Sequence, residues 1–188
     1  MNESEINAAS MRPLQPELER LEESMIIGTL QNEIARLHRQ GVGAVFNFGS
    51  EQDYKNSALV IAAAQQGELG LPDYYTGEDE GSAKLLAEYL QHVANMFKLA
   101  GDGDATGAAE AKVVMEIEAS LAKATMTPVE LHDANNSYHK MTLSQLRELT
   151  PHFAWNENFK EVGSPAVSEV NIRQPEFFKE VDAAFGDD

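Results

Sequence analysis

Apolar residues recur at intervals of three and four along residues 14–39, the spacing of one face of a helix. The positions are Leu14, Leu18, Leu21, Met25, Leu30, Ile34 and Leu37, with one interval of five between Met25 and Leu30. Gly41 follows a basic last turn and can adopt the left-handed conformation that ends many helices. The pattern predicts one helix over residues 14–39 with a single buried stripe, preceded by a polar lead-in at residues 1–13.

Two short apolar runs, residues 44–48 and 58–64, flank a polar connection at residues 49–57. Short apolar runs bounded by polar residues and glycine are typical of strands, so the pattern predicts a β-hairpin. Alanine favours helix, however, and the second run is rich in alanine. A short buried helix is therefore the alternative for residues 58–64.

A turn-forming segment, residues 70–75, separates this hairpin from the rest of the chain. Glycine tolerates positive φ, and proline fixes its own φ and keeps the preceding residue out of helix, so a tight turn is predicted. Large aromatic side chains usually anchor a core. The predicted structural anchors are Gly70, Leu71, Pro72, Tyr74, Tyr75, Trp155, Phe177 and Phe178, with Tyr89 and Phe97 as further core positions.

Most of the remaining chain has helical periodicity. A helix over residues 82–100, with Ser82 as its N-cap and Gly101 at its end, is predicted to pair with a helix over residues 108–124. The short linker at residues 102–107 makes the two helices antiparallel. The residues of the second helix that we expect to face inward are Val113, Val114, Ile117, Leu121 and Ala124.

Two capping boxes, at residues 127–130 and 142–145, predict the starts of two short helices. A third short helix is expected around residues 153–159, a strand within 167–172, and a last helix after Pro175. The predicted fold class is mainly α, a helical domain with αα-hairpins and a minor β-hairpin with short strands. Residues 14–188 are expected to form a single mostly helical domain.

Charge and composition narrow the function classes. The 188 residues carry a formal net charge of -17 and include no cysteine. An acidic surface disfavours nucleic acid and anionic membranes as partners, because both attract Lys and Arg. The lack of cysteine excludes thiolate zinc sites, cysteine nucleophiles and disulfides. No apolar run approaches the roughly 20 residues of a membrane span, and the polar start is not a signal peptide, which leaves the localisation unknown.

Three groups of residues could carry chemistry, and each has a simpler interpretation. The five histidines include no pair with the HExxH spacing that lets two imidazoles reach one zinc ion. Residues 102–107 begin like a calcium loop, but Val113 occupies the position of the bidentate glutamate, so a linker is favoured. The acidic cluster of Glu78, Asp79 and Glu80 is better explained as a helix start, where carboxylates favour the positive end of the dipole. No catalytic or metal-binding residue is predicted.

Several segments form a series in a distinctive order. Residues 53–57 fit D-x-K-(D/N)-S, residues 138–146 resemble Y-N-x-M-T-L-A-Q-L, and residues 170–178 resemble V-N-V-x-Q-P-x-F-F. Residues 66–75 resemble Q-G-G-L-G-L-P-D-R-D-Y-Y with two residues fewer before the tyrosines. Residues 13–18 with 34–38, and residues 116–122, complete this series. In these segments and their order, the chain resembles the neprilysin and endothelin-converting-enzyme family of zinc metallopeptidases.

The resemblance implies a specific function for the family and a partial one for this chain. Members are zinc endopeptidases that cut oligopeptides, with zinc ligands in HExxH and ExxxD motifs, and neither motif occurs in this sequence. The matched region is the amino-terminal part, which contributes to the helical domain that caps the active-site cavity and limits substrate size. Zinc is therefore expected in the full-length parent and not in this chain.

Three hypotheses follow from these observations. The first is a non-catalytic fragment of such a peptidase, whose partner is the missing catalytic half. The second is a free-standing acidic α-helical interaction module, which self-associates or binds a partner through exposed apolar surface. The third is a small zinc or calcium binder. Nucleic acid is not expected as a partner, and no membrane segment is predicted in this chain.

Overall fold

A computed structural model describes residues 2–4, 9–24, 26–164 and 166–186. The described residues form nine helices: α1 (Gln15–Glu23), α2 (Ile27–Arg39), α3 (Pro72–Tyr75), α4 (Glu80–Ala100), α5 (Asp104–Lys123), α6 (Pro128–His132), α7 (Leu143–Leu149), α8 (Trp155–Glu161) and α9 (Pro175–Gly186). They also form four strands: β1 (Phe46–Asp53), β2 (Asn56–Gln66), β3 (Lys140–Thr142) and β4 (Glu169–Ile172). The predicted fold class, mainly α with a minor β element, is confirmed.

The single helix predicted over residues 14–39 is wrong, because two helices occupy this range. Ser24 closes α1, and Ile26 stands before α2 in an extended conformation, with φ -116° and ψ 146°. The break coincides with the interval of five, which would rotate the apolar stripe by about 140° on a continuous helix. Met25, the residue on which that stripe depended, lies outside the described residues. Gly41 adopts φ 82° just beyond α2, which confirms the predicted helix end.

The predicted β-hairpin is confirmed, and the alternative helix at residues 58–64 is wrong. Strands β1 and β2 pair antiparallel from Phe46 opposite Gln66 to Gln52 opposite Val60, so both strands are longer than the apolar runs. Polar residues extend the strands because the outer face of an antiparallel pair can be hydrated. The turn consequently shrinks from the predicted connection at residues 49–57 to the two residues between the strands.

The hairpin belongs to a sheet in the order β1-β2-β4-β3. Strand β4 pairs parallel with residues 62–64 of β2, and β3 pairs antiparallel with β4. The sequence predicted a strand within 167–172 but neither β3 nor this pairing. Alternate residues of the strands face the helices, and Phe46, Ala64, Val170 and Ile172 are fully buried there.

Helices α4 and α5 form the predicted antiparallel hairpin, with corrected ends. Asp79, not Ser82, is the N-cap of α4, and its carboxylate accepts the N–H of Ser82 at 3.0 Å. Helix α5 begins at Asp104, four residues before its predicted start, so most of the expected linker is helical. Its inward face is also different, because Gly107 and Ala111 are buried whereas Val113 and Ile117 are about half exposed. The small residues let the two helices approach closely, and a Cβ on Gly107 would lie 3.1 Å from the Cβ of Phe97.

The C-terminal elements follow the sequence closely. Thr127 and Thr142 each accept a backbone N–H, from Glu130 and Gln145 respectively, and both predicted capping boxes are complete. The short helix α8 and the last helix α9 lie where the apolar pattern places them. Their aromatic side chains meet the inner face of the sheet, and the resulting core contains Phe46, Phe153, Trp155, Phe159, Phe177, Phe178 and Phe185.

Candidate functional site

The histidines act as structural hydrogen-bonding groups wherever the structure gives them a close partner. The Nε2 atom of His38 lies 2.7 Å from the carbonyl oxygen of Phe46, and Nδ1 of His152 lies 2.9 Å from Oδ2 of Asp182. Within the described ranges, no group of three or more His, Cys, Asp or Glu side chains is arranged to hold a metal ion. Helices long and apolar enough to cross a bilayer are likewise not found in the described part of the chain.

The acidic residues singled out in the sequence serve the helix starts. Hydrogen bonds from the hydroxyl and N–H of Ser82 hold the pKa of Asp79 below its usual range, as expected for a capping carboxylate. Asp104 starts α5 and lies 3.0 Å from the ammonium group of Lys98 on α4. Asp102 faces Glu110, and burial, together with this neighbouring carboxylate, raises the pKa of Glu110.

Residues 72–75, where the sequence predicts a tight turn, form the short helix α3, and a carboxylate that the sequence did not single out holds this helix in place. Glu118 on α5 accepts hydrogen bonds from the hydroxyls of Tyr75, at 2.8 Å, and Tyr89, at 3.1 Å. Burial, reinforced by Glu118, raises the pKa of Tyr75 far above its ordinary value. Gly70 suits this position because a Cβ there would lie 2.1 Å from the hydroxyl of Tyr89 and would displace that side chain from Glu118. The cluster joins α3 to both helices of the α4–α5 hairpin.

The predicted anchors differ widely in burial. Trp155, Phe177 and Phe178 are at most 2% exposed and lie in the hydrophobic core. Tyr74 differs from the expectation of a core position, because it is 41% exposed while its neighbour Tyr75 reaches Glu118. The remaining candidates, Leu71, Pro72, Tyr75, Tyr89 and Phe97, are half-buried, whereas Gly70 is exposed.

A polar network covers part of the outer face of the sheet. The carboxylate of Asp53 is 1% exposed and accepts hydrogen bonds from the Tyr138 hydroxyl at 2.9 Å and the Lys140 ammonium at 3.0 Å. Lys140, followed by the N–H of Lys55, lowers the pKa of Asp53 to about 2. Because Asp53 ends β1 and Lys140 starts β3, the network ties the hairpin to the far edge of the sheet.

A second set of polar contacts extends the network across the sheet. Glu51 accepts from Nε of Arg173 at 3.0 Å and from the amide of Asn171 at 2.7 Å. Asn171 is fully buried, and its oxygen also accepts the N–H of His139. Every charged group in this set has an opposite partner, so the network is suited to holding strands in register and not to acid–base chemistry.

A groove lies beside residues 59–62 of β2, on the side of β4 and next to the point where β4 begins. It has a volume of about 490 Å³ and is lined on one side by Leu59, Val60 and Ile61, and on the other by residues that include Val167, Ser168 and Glu169. Val60 is 74% exposed and Leu59 is 46% exposed. Apolar residues exposed together in this way are typical of a surface that contacts another chain or segment.

The sequence matches the family model for the amino-terminal part of Peptidase family M13 over residues 1–188. Human endothelin-converting enzyme 1 is 29% identical over 184 residues, which cover 93% of this chain and 24% of that protein. Neprilysin-3 of Drosophila melanogaster is 28% identical over 160 residues, which cover 80% of this chain and 20% of that protein. The chain thus spans about a quarter or less of the length of these curated relatives.

Solved structures of zinc metalloprotease Zmp1 and of PepO also resemble this chain over most of its length. Zinc metalloprotease Zmp1 of Mycobacterium tuberculosis, in its open state, superposes with a TM-score of 0.88 at 28% identity, over 99% of this chain and 29% of the Zmp1 chain. PepO from Lactobacillus rhamnosis superposes with a TM-score of 0.71 at 15% identity, over 94% of this chain and 30% of the PepO chain. At that identity, the second likeness shows the fold alone.

Proposed function

The chain belongs to peptidase family M13, and we propose on that premise that it caps the active-site cavity of a zinc metalloendopeptidase and restricts its substrates to oligopeptides. Family membership confirms the resemblance drawn from the sequence segments. In this proposal, residues 14–188 act as one non-catalytic domain, and the catalytic half of the peptidase is its partner. The complete peptidase, meaning this chain together with the sequence that its gene encodes around it, is called the parent below.

The observation that carries the proposal is the likeness to Zmp1. Nearly the whole chain superposes on a zinc metalloprotease, yet it accounts for only 29% of that protein. As a zinc metalloprotease, Zmp1 carries zinc and peptide-bond cleavage in the larger protein. Because the present sequence has no HExxH motif, the proposal assigns the zinc ligands to the rest of the parent and derives no catalytic step from residues of this chain.

Peptidase assays on the parent and on the isolated chain test the proposal. With zinc present, we expect the parent to cleave a short oligopeptide and to leave an unfolded protein chain of several hundred residues uncut. The isolated chain should cleave neither substrate. A parent in which α4 is cross-linked to the catalytic half by a disulfide should lose turnover only under oxidising conditions, because a cap has to move for substrate to enter.

Two results would contradict the proposal. Zinc-dependent cleavage by the isolated chain would show that the chain is catalytic by itself. Equal cleavage of the short peptide and the long unfolded chain by the parent would show that nothing in it limits substrate size.

A free-standing interaction module is the second candidate, and exposed apolar side chains on the helical hairpin favour it. Leu99 is 60% exposed on α4, and Val113 and Ile117 are 54% and 48% exposed on α5. In that case the gene would encode this domain without a catalytic half. Sequencing the gene on either side of the matched region distinguishes the two candidates, because an HExxH motif in the same reading frame supports the cap.

A further inference from the structure

Strand β2 begins several residues before the point at which its parallel neighbour β4 begins. It comprises Asn56–Gln66, yet β4 pairs only with residues 62–64. We propose that residues 58–61 of β2 are a docking edge, where an extended segment from the remainder of the M13 peptidase adds to the sheet as a further strand. The inference rests on the proposed function, because it names the element through which the cap contacts the catalytic half.

Backbone direction identifies Val60 as the residue that offers its hydrogen-bonding groups at this edge. The carbonyl of Ala64 accepts the N–H of Arg173 at 3.0 Å, so Ala64 points its backbone groups towards β4. Alternate residues of a strand point the same way. Pairing with β1 is regular from Gln66 back to Val60, so the N–H and C=O of Val60 also point to the β4 side. Among the described residues, no strand lies beside Val60 there.

The side chains of residues 58–62 carry no charge and no proline, although the register of β2 against β1 shifts between Val60 and Asn56. Native edge strands usually carry charged residues, proline or a bulge where they face solvent. Residues 58–62 contain only alanine, leucine, valine and isoleucine, and Val60 is 74% exposed. The groove of about 490 Å³ between β2 and residues 167–168 gives an incoming strand room beside this edge. An uncharged apolar edge beside a groove fits an occupant that pairs by backbone hydrogen bonds and covers apolar surface.

The occupant best supported is the remainder of the parent. A second copy of this chain would bring another net charge of -17 to the interface, and like charges oppose such an association. In the curated relatives, by contrast, about three-quarters or more of the chain lies outside the matched region and is available to supply a strand. We therefore expect an extended, β-branched and uncharged segment from that part of the protein.

Amide hydrogen exchange at Val60 is the direct test. In the isolated chain its N–H should exchange rapidly, and in the parent it should exchange about 100-fold more slowly, because a strand then accepts its hydrogen bond. The matched control is the amide of Val129, which lies in the first turn of α6 and has no intrahelical acceptor. Its exchange should be equally fast in both proteins.

Binding in trans supplies an independent measurement. When the isolated chain is titrated with the rest of the parent expressed separately, Val60→Lys should weaken binding by about tenfold, because it places a charge at the apolar edge. Val60→Pro, which removes the N–H, should do the same. Val129→Lys is the control, because Val129 is 81% exposed on another element, and it should leave binding unchanged. Fluorescence of Trp155, which is 2% exposed, verifies that each variant is folded.

Several outcomes would overturn the docking edge. They are equally fast exchange of Val60 in the parent, protection that grows with the concentration of the isolated chain, and protection that needs an added oligopeptide. Protection that grows with concentration would identify the occupant as a second copy of this chain, and protection that needs an oligopeptide would identify it as a substrate. If the parent cleaves only short peptides while Val60 exchanges rapidly, the docking edge is wrong and the proposed function remains. If Val60 is protected in a parent without peptidase activity, the proposed function is wrong and the docking edge remains.

Discussion

Truncation of Phe178 should destabilise the protein several times more than truncation of Tyr74, although the sequence makes both of them anchors. Phe178 is 1% exposed, and its ring centroid lies 5.3 Å from that of Phe46 and 6.1 Å from that of Trp155. Burial of a phenylalanine side chain contributes about 1.5–3 kcal/mol, and each ring pair adds roughly 0.5–1.5 kcal/mol. With the cavity left behind, Phe178→Ala should lower the free energy of unfolding by about 3–5 kcal/mol.

Tyr74→Ala serves as the comparison within the same set of predicted anchors. Because Tyr74 is 41% exposed, its removal creates no enclosed cavity, and we expect a loss of no more than about 1 kcal/mol. Phe178→Leu is the conservative control, since leucine keeps most of the apolar contact and should cost less than Phe178→Ala.

Urea unfolding followed by tryptophan fluorescence measures both effects. The chain contains one tryptophan, Trp155, and its side chain is buried in the core beside Phe178. Circular dichroism should give the same midpoints, which excludes a purely local effect on the fluorophore. For a domain of this size, the loss at Phe178 should lower Tm by about 6–20 °C. If Phe178→Ala keeps the wild-type midpoint, or if Tyr74→Ala costs as much, the assignment of the core is wrong.

Three further predictions concern the polar clusters and the helical hairpin. The pKa of Asp53 is about 2 in the folded protein, compared with its ordinary value of 3.8, so the ionised carboxylate stabilises the native state above pH 3.8. This stabilisation is lost as the pH falls towards 2. The acid unfolding of Asp53→Asn should therefore depend less on pH between these two values. Gly107→Val should lower the free energy of unfolding by about 1–3 kcal/mol, because it separates α4 from α5. Gly28→Ala adds a Cβ that meets no atom within 4 Å and should be neutral or slightly stabilising in the same urea titrations. Burial is the larger cause of the raised phenol pKa of Tyr75 and Glu118 the smaller one, so Glu118→Gln should lower that pKa only in part in an ultraviolet titration. An unchanged titration would show that burial alone raises it.

Most signals that act within a few residues were read correctly from the sequence, although the N-cap of α4 is Asp79 and not the predicted Ser82. The capping boxes at Thr127 and Thr142, the glycine ends at Gly41 and Gly101, and the proline start of α9 all depend on neighbouring backbone groups. The hydrogen bonds and backbone conformations that stabilise these helix ends involve no other helix or strand, so the local sequence is sufficient to predict them. The spacing of apolar residues likewise predicted the α4–α5 hairpin and the β-hairpin.

The sequence signals failed where two elements compete for the same surface. Val113 and Ile117 fit an inward stripe of α5, but the close approach of α4 selects the small residues Gly107 and Ala111 for the interface. The break between α1 and α2 is visible only as one interval of five, which a sequence pattern tolerates and a packed helix does not.

The sequence by itself determined the family, because segments that resemble the family occur in the same order along the chain. It also determined the mainly helical class, the β-hairpin and most helix ends, because each depends on residues that are close together in the sequence. Only the tertiary structure decided that Glu118 holds Tyr75 of α3 and Tyr89 of α4, and that Asp53 reaches Lys140. It also decided that β4 begins beyond Val60 and leaves Val60 without a strand beside it in the described chain. The residues in each of these arrangements lie tens of residues apart or more. Periodicity and residue propensity describe only short stretches of sequence, so they cannot predict which distant side chains come into contact. Those contacts depend on how the whole chain packs.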